Sequence, residues 1–350
     1  MPPNGTEFIL DDFLSDMATN QSGTSGSLDP TTEPTSGESW VEPGYEGKID
    51  YRIRQLSYSS LLSLHSCPRK FQLAKLRTTH RTPESEKSSV TFAFGHIVGE
   101  AIQLALEDKS EQEIIFKMFL GWHTDLFAED TKLSKSFFTA IIAIRRFLAL
   151  RESGFLKEYD LVYYNGKPAC ELSFSVSFPD GFRLRGFVDA VLQHRDTGKV
   201  IVLECKTTGS ATINPATYKN SAQAIGYSIV LDSIFPDLSS YEVLYLIYNT
   251  KSGEYLPLPF QKTYLQRALW IRELLLDIET IKMYEEAEVY PMHGESCYSF
   301  FRECEYLNVC QLSTEYLTKP CTSDQEDKTD YQITLTLDDL LTTQLAKAEM

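Results

Sequence analysis

Three side chains on two neighbouring runs carry the chemistry of this chain. Gly186-Phe-Val-Asp189-Ala-Val reads as a strand bearing one carboxylate. Val200-Ile-Val-Leu-Glu204-Cys205-Lys206-Thr-Thr reads as the next strand, with a carboxylate and an ammonium two residues apart. Between them, Arg195-Asp-Thr-Gly-Lys199 has the composition of a hairpin turn. Strand side chains repeat every two residues, so Glu204 and Lys206 share a face while Leu203 and Cys205 take the other. Folding at the turn brings Asp189 close to Glu204. Two oxygen donors and one positive charge then converge, which suits a hard cation such as Mg²⁺ that holds a phosphate and an attacking water together.

A surface salt bridge between Lys206 and either acid is the plain alternative, and such pairs contribute little. The apolar run Val200–Leu203 argues against it, because it predicts a strand buried on both faces. Buried carboxylates are costly unless compensated, and a metal is a natural compensation.

The order Gly-x-x-Asp189, hairpin, apolar strand, Glu204-x-Lys206 resembles the core of the PD-(D/E)xK nuclease superfamily. Gly95-His96, with Glu100 four residues on, resembles the histidine motif of its RecB-like branch. Gln223-Ala-Ile-Gly-Tyr227 resembles that branch's Gln-x-x-x-Tyr helix. Ser57-Tyr-Ser-Ser60 leading to Cys67-Pro-Arg69-Lys-Phe71 is similar to the first helix of the iron–sulfur subgroup, which includes the AddB nuclease domain and the CRISPR-adaptation exonucleases. The match runs from about Leu56 to Cys310.

The resemblance implies a restriction-endonuclease-like α/β fold, a mixed sheet flanked by helices, with the helices of 90–151 as an added segment. It implies that Asp189, Glu204 and Lys206 are catalytic. Mg²⁺ or Mn²⁺ would be held by Asp189, Glu204, the Cys205 carbonyl and His96, an imidazole making Mn²⁺ acceptable. Gln223 and Tyr227 would contact the substrate phosphate or steady Lys206. Taken without the resemblance, His96 suits a structural helical histidine, and Gln223 and Tyr227 suit a capping amide and a core tyrosine. Glu171, opening the alternating run Cys170–Phe178, reads as a solvated strand residue that could extend the acidic site.

Seven cysteines without a secretory segment argue against a disulfide framework. By resemblance, Cys67 with Cys297, Cys304 and Cys310 would hold a structural 4Fe–4S cluster that closes a long loop. The subgroup's usual last three cysteines run Cys-x-x-Cys-x5-Cys; here Phe301 stands at the first position and Cys297 lies four residues earlier. Four thiolates also suit zinc, and unliganded cysteines remain a third reading. Cys170 and Cys205 read as small core residues.

The net charge of −16 is unevenly spread: −9 in residues 1–50, −5 in 321–350, and −2 in the body between. The nearly neutral body leaves room for basic patches, with Arg183, Arg185, Lys219 and the Arg69-Lys70 pair as candidate phosphate contacts. Three regions are expected: a disordered acidic tail over 1–50, a nuclease domain over 51–320, and an acidic tail over 321–350. Phe8–Leu14 and Ile333–Leu341 combine acidic and bulky apolar residues, as protein-docking peptides do. No run approaches a membrane span and no signal segment opens the chain, so a soluble, cytoplasmic protein is expected.

Within the body, helices are expected over Ser59–Leu76, Thr91–Glu107, Glu111–Phe127, Leu133–Arg151, Pro215–Phe235 and Tyr264–Glu286. Cys170–Phe178 alternates and predicts a half-exposed strand, and Tyr241–Tyr248 is expected to pair with Tyr255–Phe260. The expected function is a metal-dependent DNA nuclease, an exonuclease acting on single strands or duplex ends in recombination, repair or phage DNA processing. The alternative is a silent nucleic-acid-binding module of the same fold that recruits partners through its tails.

Overall fold

The computed structural model describes residues 52–75, 90–122, 134–238, 240–299, 302–311 and 330–348. The apolar island Phe8–Leu14 lies outside them, as does Cys321.

The sheet grows from a meander. β3 (Cys170–Ser177), β4 (Arg183–His194) and β5 (Val200–Thr208) run antiparallel in sequence order. Gly198, at φ +68°, makes the β4–β5 turn, a conformation that glycine adopts without a Cβ penalty. Three short helices, α6 (Pro215–Lys219), α7 (Ala222–Gly226) and α8 (Ser228–Ile234), lead to β6 (Ser240–Asn249), which pairs in parallel with β5. β7 (Glu254–Thr263) then returns antiparallel to β6. Two short strands also pair with β4: β1 (Gln55–Leu56) in parallel at its start and β2 (Tyr159–Leu161) antiparallel at its end. The order matches the expected mixed sheet.

Helices cover both faces. α1 (Tyr58–Ser66), α2 (Pro68–Lys75), α7, α8 and α9 (Tyr264–Glu286) pack on one side, where Val200 and Val202 point. α3 (Val90–Leu106), α4 (Glu111–Gly121) and α5 (Phe137–Glu152) pack on the other, where Ile201 and Leu203 point. Burial of these four β5 side chains is complete, as the apolar run required. Capping boxes fix the starts of α1, α4, α5 and α9 through Ser57, Ser110, Ser136 and Thr263.

Two expected helices are divided. The Ser59–Leu76 helix breaks at Cys67, which is extended (φ −159°, ψ 105°) because Pro68 follows it and opens α2. The Pro215–Phe235 helix breaks at Asn220-Ser221, where Ser221 is extended, and again beside Gly226. A Cβ on Gly226 would lie 3.3 Å from the Trp270 ring, so this glycine lets α7 approach α9.

The strand and tail assignments shift together. Ser173 and Ser175, expected on a wet face, are buried. β8 (Ile333–Thr336) adds in parallel to β3, and α10 (Leu337–Ala348) follows it and packs against α9. Ser173 and Gln332 exchange hydrogen bonds of 3.0 and 3.1 Å, and Ile333 and Leu340 enter the core. The Ile333–Leu341 segment, expected to dock another protein, docks on its own sheet. Asp339 caps the start of α10: Thr336 N–H donates to it at 2.7 Å. Among the described residues no helix is long and apolar enough to cross a membrane.

Candidate active site

β4 and β5 stop pairing after Ala190 and Leu203, one step short of the residues that matter. Beyond that pair the ladder is replaced by a side chain: Cys205 N–H donates to Asp189 Oδ2 at 2.8 Å. Asp189 therefore lies beside Glu204-Cys205 at the open end of the two strands. Glu204 is 1% exposed, and both its oxygens are engaged. Lys206 Nζ sits 2.5 Å from Oε1, and the buried Tyr227 hydroxyl donates to Oε2. Lys206 also donates to Gln223 Oε1 at 3.4 Å. Thus Gln223 and Tyr227, on α7 and its C-cap, hold the ammonium and the carboxylate of β5 respectively.

Electrostatics follows from this crowding. Removal from water, and then the negative charge of Glu204, push the Asp189 carboxyl well above its usual value, against the Cys205 N–H and Lys206. Burial pulls the Lys206 ammonium down, but Glu204, through charge and hydrogen bond, and then Asp189 outweigh it, so Lys206 stays protonated beyond its usual range. Burial and Glu204 raise the Tyr227 phenol, which remains a donor. Cys205 has a buried thiol that burial also raises, so its contribution to the site is its backbone.

These residues line one cavity of about 940 Å³, together with His96 and Gln103 of α3 and Arg185 and Phe187 of β4. His96 is exposed in that wall. Glu171 also faces the cavity. The register pairs Cys170 with Ala190 and Leu172 with Val188, so Glu171 lies opposite Asp189 with φ +46°, and Gln103 Nε2 donates to it at 2.9 Å. It is exposed, as a solvated strand residue should be, and it extends the acidic wall as well. Gln103 was missed, although it follows His96 by seven residues and so shares its helix face. Asp277 and Trp270 of α9 were missed too; nothing near Asp277 in sequence points to its 2.8 Å contact with His65 at the rim.

The donor set suits a hard cation only in part. Two carboxylates facing one space fit Mg²⁺, which keeps several of its waters. Among the described residues, however, no three His, Cys, Asp or Glu side chains are gathered at metal spacing. His96 shares the cavity without joining Asp189 and Glu204; Lys206 and Tyr227 engage both Glu204 oxygens, and the Cys205 N–H engages Asp189 Oδ2.

The four distant cysteines do reach one corner. The segment after α9 wraps the α1–α2 joint: His293 and Ser296 contact the Ser66 carbonyl at 3.0 and 2.6 Å, and Arg69 N–H donates to the Pro291 carbonyl at 3.0 Å. Cys304 N–H donates to the Cys297 carbonyl at 2.8 Å. Burial raises the Cys310 thiol, Arg69 opposes this, and Cys67, Cys304 and Cys297 raise it further. All four are free thiols. The sulfurs influence one another without closing to ligand spacing. Arg69, expected to touch phosphate, is buried here instead, with Nε donating to the Cys310 carbonyl at 2.9 Å and Nη1 to Gln72 at 2.5 Å.

A mixed sheet between two helical layers, with two acids and a lysine where its central strands part, defines a restriction-endonuclease-like nuclease fold. The chain belongs to the PD-(D/E)XK nuclease superfamily, whose family model matches residues 55–311. Membership makes nucleic acid the substrate class, and such nucleases typically use Mg²⁺ or Mn²⁺. No curated protein matches the chain. Among solved structures, a proposed exonuclease from Eubacterium rectale is 11% identical over 83% of this chain and 97% of its own, with a TM-score of 0.43. The crystal structure of SSO0001 is 15% identical over 73% of this chain and 98% of its own, with a TM-score of 0.27.

Proposed function

We propose that this chain is a Mg²⁺- or Mn²⁺-dependent deoxyribonuclease, an exonuclease of the RecB-like branch that processes DNA ends in recombination or repair. The observation that carries the reading is the meeting of Asp189, Glu204 and Lys206 at one cavity wall. When bound between the two carboxylates, the cation would neutralise phosphate charge and make water a nucleophile at neutral pH. Burial and Glu204 hold the Asp189 carboxyl toward its protonated form, and a bound cation would favour the carboxylate. Lys206 keeps its proton, so it acts as a donor that orients the attacking water and offsets charge on the phosphate, not as a base. Tyr227 fixes the Glu204 rotamer, and Gln223 steadies the ammonium. His96 stands in the same cavity wall.

We assign the cysteine corner a structural metal, an iron–sulfur cluster or zinc, that ties α1–α2 to the segment after α9. The hydrogen bonds that draw these segments together support this: Cys304 N–H donates to the Cys297 carbonyl, and Arg69, two residues after Cys67, donates to the Cys310 carbonyl. Iron, sulfide and zinc analysis of anaerobically purified protein tests it. Protein free of all three, and folded, would remove this assignment.

The nuclease reading is tested with full-length protein and end-labelled DNA. Cleavage is expected with Mg²⁺ or Mn²⁺ and none in EDTA, with Lys206→Ala reducing the rate by at least two orders of magnitude. DNA binding without divalent-dependent cleavage would establish the silent binding module instead.

A further inference from the structure

Phe187 is an unusual side chain for its position. It lies on β4 two residues before Asp189, and both line the cavity. Its ring is 47% exposed, whereas Phe174 on the neighbouring strand is 5% exposed. Among the described residues no aromatic ring stacks on it. Arg185, two residues earlier on the same face as Phe187, is also in the cavity wall. β4 therefore brings a cation, a ring and a carboxylate to one cavity.

Gly186 keeps this strand flat against its neighbour. A Cβ there would stand 2.7 Å from the Phe174 ring, which lies directly across the ladder. With Phe174 seated on the opposite face, the β4 backbone cannot roll, and Phe187 is held toward the cavity.

A second observation concerns charge. Arg185 puts a guanidinium in the same wall as the Phe187 ring. Phosphate is the anion that a nuclease substrate brings, and a guanidinium matches it.

We propose that Phe187 is the stacking platform for an unpaired base adjoining the scissile phosphate, with Arg185 receiving the neighbouring backbone phosphate. The inference rests on the nuclease reading of the site and adds how the substrate strand is seated. An exposed ring stacks on any base, so it fixes position without selecting sequence. Duplex DNA cannot present a base face to it unless the end is frayed. Phe187 thereby determines how many unpaired nucleotides the site requires.

The test is fluorescence anisotropy of the full chain with labelled single-stranded oligonucleotides in EDTA, which separates binding from cleavage. Phe187→Ala is expected to weaken binding by roughly tenfold, within the range for loss of one base–ring stack. Phe187→Leu, which keeps apolar bulk on the strand, is expected to weaken it comparably, and Phe187→Tyr to restore it. Scanning one abasic position along the oligonucleotide should find a site that costs wild type a similar factor and costs Phe187→Ala nothing further. Equal binding by wild type and Phe187→Leu, or an abasic penalty unchanged in Phe187→Ala, overturns the proposal. A coupled abasic penalty with no cleavage in Mg²⁺ would remove the nuclease reading and leave the stacking platform standing. Divalent-dependent cleavage without that coupling would do the reverse.

Discussion

Replacing Tyr227 by Phe removes one oxygen atom and should expose how Glu204 is held. The hydroxyl is buried, its ring is part of the core, and its partner carboxylate is 1% exposed. Phenylalanine leaves the ring packing intact, so the loss is one charge-assisted hydrogen bond and an unsatisfied buried oxygen. Such a bond contributes about 1.5–3 kcal/mol. For a domain of this size that is about 3–12 °C in melting midpoint, at roughly 2–4 °C per kcal/mol. In EDTA the variant should melt lower by that amount. In millimolar Mg²⁺ the deficit should shrink, because a cation beside Glu204 takes over the work of the phenol. Differential scanning calorimetry in the two buffers measures both quantities. A midpoint within 1 °C of wild type in EDTA would refute the hydrogen bond as a support for Glu204. An equal deficit in both buffers would show that no cation engages that carboxylate.

Three further outcomes follow from the geometry. Arg267 is fully buried and paired with Asp232, so Asp232→Ala should destabilise the fold by about 3–5 kcal/mol, read by urea denaturation, because it strands a buried charge. Gly186→Ala should cost about 1–3 kcal/mol, since the new Cβ meets the Phe174 ring; an unchanged denaturation midpoint would mean that the strands separate freely there. Lys75 supplies a pH dependence. Its folded value, about 8, lies below that of the unfolded chain, so the folded protein is favoured increasingly as pH rises from about 8 toward the ordinary lysine range. Urea denaturation across that range should show the gain, and Lys75→Met should remove it; a Lys75→Met curve parallel to wild type would contradict the assignment.

The catalytic strands were legible because their signals are local. An apolar run of four with Glu204 and Lys206 at its end predicts a two-sided buried strand that carries charge to its edge, and β5 is that strand. The Asp189 position was legible for the same reason, through the hairpin register. What escaped depends on partners far away in sequence. The serines of β3 alternate as if one face were wet, but β8, more than 150 residues later, brings Gln332 to Ser173. Ile333–Leu341 has the composition of a docking peptide because it is one, with its own sheet as the receptor. Glu171 was legible as an exposed strand residue, but not the left-handed backbone that sets it opposite Asp189. Arg69 beside Lys70 reads as a basic pair, yet the fold turns it inward to the Cys310 carbonyl. His96 reached the predicted cavity without reaching the acids, a distance that helix periodicity does not encode.

The account stands most directly on where a divalent ion settles. Crystals of the full chain soaked in Mn²⁺ and measured at the manganese absorption edge give that position. The expected result is an anomalous peak between the Asp189 and Glu204 carboxylates, within coordination distance of both and lost in Asp189→Ala. A peak elsewhere, or none at millimolar Mn²⁺, would contradict it.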